Sequence, residues 1–133
     1  MHEKDSLFET VARIAAVKIT GCRLWISIPK NLGSQAVQFL HEKEGQRLVG
    51  KAPIFNESDE NMIDSLNKVN RLRYSAPDRV PREVFEAAAA TGFYISRTPV
   101  MIDGRFELLQ YYQQQSICNN YHRYGNLGER ALE

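Results

Sequence analysis

Apolar positions recur at two spacings along the chain, one helical and one strand-like, and the two alternate from end to end. Ser6-Leu7-Phe8-Glu9 has the form of a capping box, with Ser at the N-cap and Glu at the third helical position. Phe8, Val11, Ala12, Ala15, Ala16 and Ile19 follow at helical spacing and predict the apolar face of a first helix. Gly21 stops it, because a residue without Cβ accepts the left-handed conformation cheaply. Cys22 to Ile28 is short, apolar and rich in strand formers, which predicts a buried strand ended by Pro29.

Ser34 caps a second helix running to about Lys43, with Ala36, Val37 and Leu40 inward. Leu48 to Phe55 is a weaker strand, interrupted by Gly50 and Pro53. Asn56 or Ser58 opens an acidic helix to about Lys68, whose apolar positions are Met62, Ile63 and Leu66. Asp59 and Glu60 suit the positive end of its dipole. Arg71 to Ser75 reads as a short strand and Ala76-Pro77-Asp78 as a loop. Pro81, at the first helical position, opens a helix over Arg82 to Thr91 that Gly92 closes, and Phe93 to Ser96 is a further strand. Val100 to Ile102 leads into the turn Asp103-Gly104. Phe106 to Gln115 fits either a short helix or a hairpin.

Strands alternating with helices predict an α/β domain, Rossmann-like and three-layered, around a mostly parallel sheet of 4 or 5 strands. Residues 1–115 form that domain, 116–131 a polar and aromatic C-terminal motif without a period, and 132–133 read as a tag scar. Met1 reads as an added start, so the chain is expected to be a piece of a longer protein. The 133 residues suffice for one sizeable core. A formal charge of +1 gives no global pull toward nucleic acid or acidic lipid. No apolar run is long enough to span a membrane and no cationic-apolar leader opens the chain. Two cysteines without an export signal point to a reducing, cytoplasmic setting.

Candidate chemistry is sparse. Cys22 starts an apolar strand, where a small buried hydrophobe is expected. Cys118 has His122 four residues on, but proximity in sequence does not make a dyad. His2, His41 and His122 are scattered, and no glycine pattern cradles a pyrophosphate. Arg71, Arg73, Arg79 and Arg82, with Tyr74 among them, can contact phosphates. Asp78 and Glu83 interrupt that cluster, so a solvated surface or an intramolecular docking face is the expectation, with no nucleic-acid partner. In the C-terminal motif, Arg123 between Tyr121 and Tyr124 can bind carboxylates bidentately while the rings pack. The bland alternative is a tail folded onto its own domain.

The ending Ser116-Ile117-Cys118-Asn119, the spacer Asn120 to Tyr124 and Gly125-Asn126 carry a resemblance. They resemble the far C-terminal region of bacterial L-glutamate γ-semialdehyde (1-pyrroline-5-carboxylate) dehydrogenases, especially the bifunctional proline-utilisation enzymes of the aldehyde dehydrogenase superfamily. Val11 to Ile28 is similar to a helix-to-strand step of that superfamily's nucleotide-binding fold. The chain departs from the pattern at Tyr121-His122-Arg123-Tyr124, where many members carry small residues. The resemblance implies an accessory domain without catalytic, cofactor or metal residues of its own. It implies NAD in the parent enzyme, and FAD where a proline dehydrogenase half is present. It makes Asn119, Tyr121, Arg123, Tyr124, Gly125 and Asn126 docking or lid residues, and it makes the rest of the parent dehydrogenase the partner, within a homo-oligomer. The alternatives are a free-standing nucleotide or small-molecule module, with its site near Pro29 to Ser34 or Ser75 to Asp78, and a protein-interaction domain.

Overall fold

The computed structural model describes residues 1–113. The first helix, α1 (Leu7–Thr20), begins as its capping box requires. Ser6 Oγ accepts from the Glu9 N–H at 3.1 Å, and Glu9 accepts from the Ser6 N–H at 2.7 Å. Gly21 closes it in the left-handed region at φ 70°. The buried face differs from the expected one. Thr10, Ile14, Ala16 and Val17 are buried, whereas Phe8 and Ile19 are exposed. Two apolar stripes lie side by side on this helix, and the one carrying branched Ile14 and Val17 meets the strands.

The next strand, β1, covers Ile26–Pro29 and is shorter than the expected run, for Cys22 and Arg23 lie exposed ahead of it. Helices α2 (Gln35–His41) and α3 (Lys43–Val49) follow, and β2 (Ile54–Glu57) returns parallel to β1 with Ile26 opposite Ile54. Ala36, Val37 and Leu40 are inward as the spacing predicts. Of the strand expected over Leu48 to Phe55, Leu48 and Val49 instead end α3, and only Ile54 and Phe55 are strand, as the start of β2. Gly45 sits against the backbone of α2, where a Cβ would overlap the Phe39 carbonyl, so its missing side chain permits the tight α2–α3 corner.

The second half repeats the plan. Helix α4 (Asp59–Asp64), capped by Ser58, runs into a single 3-10 turn. Strand β3 (Leu72–Arg73) is followed by α5 (Arg82–Thr91), and β4 (Ile95–Ser96) pairs parallel to β3. Pro81 stands at the N-cap, one position before the expected one, and Gly92 closes α5 at φ 70°. The ambiguous segment resolves as α6 (Gly104–Leu108), capped by the Asp103 side chain, and a 3-10 turn over Leu109–Tyr111.

The described chain is therefore α/β, built as two β-helix-β units with short parallel sheets of 2 strands each, where sequence patterning predicts one sheet. Each unit has its own core. Ile14, Ile26, Ile28, Val37, Leu40 and Val49 fill the first, and Met62, Tyr74 and Val84 the second. Between them polar contacts carry the junction. Asp5, 6% exposed, binds Arg13 at 2.7 Å and Arg79 at 2.9 Å, and Arg79 also reaches Glu9 at 2.9 Å. No helix among the described residues is long and apolar enough to cross a membrane.

Candidate binding cleft

Between β1 and β3 lies a cleft of about 730 Å³, within the usual range of ligand sites. Its walls include Trp25, Ser27, Phe55, Leu66, Arg71 and Tyr74, with Thr10 and Arg13 of α1 also lining it. Parallel pairing explains what these strands present to it. Ile26 N–H donates to Pro53 O at 3.0 Å, and Leu72 N–H donates to Tyr94 O at 3.3 Å, so Ile26 and Leu72 face their partner strands. Backbone groups alternate sides along a strand, so those of Trp25, Ser27, Arg71 and Arg73 point the other way. All four of these residues line the cleft.

Two of the outward carbonyls are already engaged. The Met1 amino group donates to Ser27 O, and Arg13 Nη1 donates to Arg73 O at 3.4 Å. Burial pushes the Met1 amino group down to about 6, and the Arg13 charge acts in the same direction. The Tyr74 phenol is raised by burial, with nearby Asp59 and Asp5 adding to it. Thr10 Oγ1 and Arg73 Nε are buried without a hydrogen-bond partner among the described residues.

The basic cluster is mostly turned inward. Arg73 holds the Glu107 carboxylate with both oxygens, at 2.9 and 3.1 Å, and Glu107 is 3% exposed. Glu107 also accepts from Met101 N–H and from the Tyr111 hydroxyl, each at 3.0 Å. The Tyr111 phenol is raised by burial and by the charge of Glu107. Arg71 donates to Gln110 O and Tyr112 O and lies 5.1 Å from the Tyr94 ring centroid. Arg79 belongs to the Asp5 network, and Arg82 makes only the exposed pair with Glu86 at 2.7 Å. Three of the four arginines therefore hold the molecule together, in line with an intramolecular docking face. The hub Glu107 escaped sequence reasoning, because its partner stands 34 residues away and no local spacing marks it.

Cys22 corrects another expectation. It is exposed, ahead of the strand, with Sγ 3.7 Å from Tyr111 O. Pro29 to Ser34 and Ser75 to Asp78 do not line the cleft, which instead takes in the residues leading into β1 and β3, such as Arg23 and Asn70. The docking residues Asn119, Tyr121, Arg123, Tyr124, Gly125 and Asn126, with Cys118 and His122, lie outside the described residues. No protein-family model, curated protein or solved structure matches the chain.

Proposed function

We propose that this chain is a non-catalytic accessory domain that docks on the body of an NAD-dependent 1-pyrroline-5-carboxylate dehydrogenase of proline catabolism. In this reading the two β-helix-β units are halves of a Rossmann-like domain working in the cytoplasm, and residues 116–131 are the docking and lid segment. One observation carries it. Ile102 just before α6, Phe106 on α6 and Leu109 on the 3-10 turn that follows it, all near the start of that segment, are exposed, Ile102 by 92%. Phe106 and Leu109 stand three residues apart, so they share a face that a solvated helix end would fill with polar groups. The sequence resemblance of Ser116 to Asn126 supplies the identity of the body that would cover them.

NAD chemistry belongs to the dehydrogenase body in this reading. The chain mixed with NAD and glutamate semialdehyde is expected to give no NADH absorbance, and a clear rate would overturn the proposal. In the complete enzyme, Arg123→Ala is expected to weaken assembly or retention of the semialdehyde while the fold of the isolated chain persists. Unfolding of the isolated chain by that substitution would show a self-packed tail instead.

A further inference from the structure

Among the described residues, no strand pairs with the edges of β1 and β3 that face the cleft between them. We infer that this cleft accepts one extended, acidic peptide segment from a partner chain, which would join the two pairs into a single sheet of five strands. This goes beyond the dehydrogenase reading and stands without it.

Among the described residues each pair uses only one side of its inner strand, leaving the Trp25–Ser27 and Arg71–Arg73 edges turned into the same space. Unpaired strand edges are templates for another strand, because their N–H and C=O groups keep the ladder spacing. The groups now bound there are substitutes rather than a ladder. An amino group serves Ser27 O and a guanidinium serves Arg73 O, and an incoming strand's N–H groups can take over both roles. Apolar surface from Trp25, Phe55 and Leu66 offers seats for alternate side chains of such a strand.

Charge selects the kind of segment. Among the described residues the lining holds Arg13, Arg23, Lys68, Arg71 and Arg73 against one carboxylate, Glu57. Asp5 and Glu107 neutralise Arg13 and Arg73, which leaves Arg23, Lys68 and Arg71 at the cleft to attract acidic side chains. A small organic anion would use those charges but leave the strand edges idle.

The test uses the full chain, labelled with nitrogen-15, and a blocked hexapeptide of alternating Glu and Val. Its counterparts carry Lys in place of Glu, or N-methyl groups along one edge; AMP and glutarate serve as small-molecule arms. Amide shifts and slowed exchange are expected at Ser27 and Arg73, with affinity about tenfold higher for the Glu peptide than for the Lys peptide. N-methylation should abolish binding. Lys68→Glu, at an exposed position away from both ladders, should weaken the Glu peptide and leave the free spectrum otherwise unchanged. The inference is overturned by absent or displaced shifts, by equal affinity for the two peptides, or by AMP or glutarate acting where the peptides do not. Protection of Ser27 and Arg73 amides in the chain alone would also overturn it, because a segment of this chain would then fill the position.

Discussion

Gly45 shows how one missing side chain sets a local geometry. Its Cα faces the Phe39 peptide, and an added Cβ would come within 2.9 Å of Leu40 Cα besides overlapping the Phe39 carbonyl. Backbone cannot rotate away as a side-chain tip can. Gly45→Ala should therefore lower stability by about 2 kcal/mol, despite alanine's better helix propensity, through forced separation of α2 from α3. Urea denaturation measures it, and a stabilised variant would refute the tight corner. The sequence offered only the glycine. Patterning ends the second helix at about Lys43 and starts a strand at Leu48, so the helix that carries Gly45 was not read from the sequence.

At the scale of elements, α6 is held by a charge and not by its own propensity. It has five residues, too few to persist alone, and its sole buried member is Glu107. Removing one partner of a buried ion pair leaves the other charge stranded, which costs about 3–5 kcal/mol. Glu107→Gln should accordingly destabilise the chain by roughly 3 kcal/mol and speed amide exchange throughout α6. Arg82→Ala is the control, because that pair is 85% and 60% exposed and is worth well under 1 kcal/mol. Equal effects from the two variants would mean that α6 docks by apolar contact alone. Helix α1 carries a similar lesson. Its periodicity was plain, yet Phe8 and Ile19 lie on the outer stripe, because two apolar stripes with the same period cannot be ranked without the surface they meet.

Across the whole molecule, the two β-helix-β units meet through carboxylates and arginines, which makes their union sensitive to acid. Burial of Asp5 works to raise its pKa but is outweighed by the charge and hydrogen bond of Arg13 and the hydrogen bond of Arg79, so the net shift is downward. Glu9 is also lowered, with burial opposed and exceeded by hydrogen bonds from Ser6 and Arg79. In the unfolded chain both groups take up protons at higher pH than in the folded one. Their stabilisation is therefore complete above about pH 5 and is lost as the pH falls through the unfolded and then the folded values. Denaturation midpoints should fall steeply below about pH 4, and Asp5→Asn should flatten that slope while lowering stability at neutral pH. A wild-type slope retained in the variant would place the acid sensitivity elsewhere.

The sequence by itself determined most starts and stops of the helices, though not α3, because caps and stops act within a few residues. Ser6, Ser34 and Ser58 start helices, and Gly21 and Gly92 end them, wherever those segments lie in space. It also marked Arg71, Arg73, Arg79 and Arg82 as a cluster, but left open whether they form a solvated surface or an intramolecular docking face. Only tertiary structure decided which stripe of α1 is buried, which carboxylate answers each arginine, and that the strands form two pairs with a cleft between them. These depend on partners far apart along the chain, 74 residues for Asp5 and Arg79, and contacts at that separation leave no period to read.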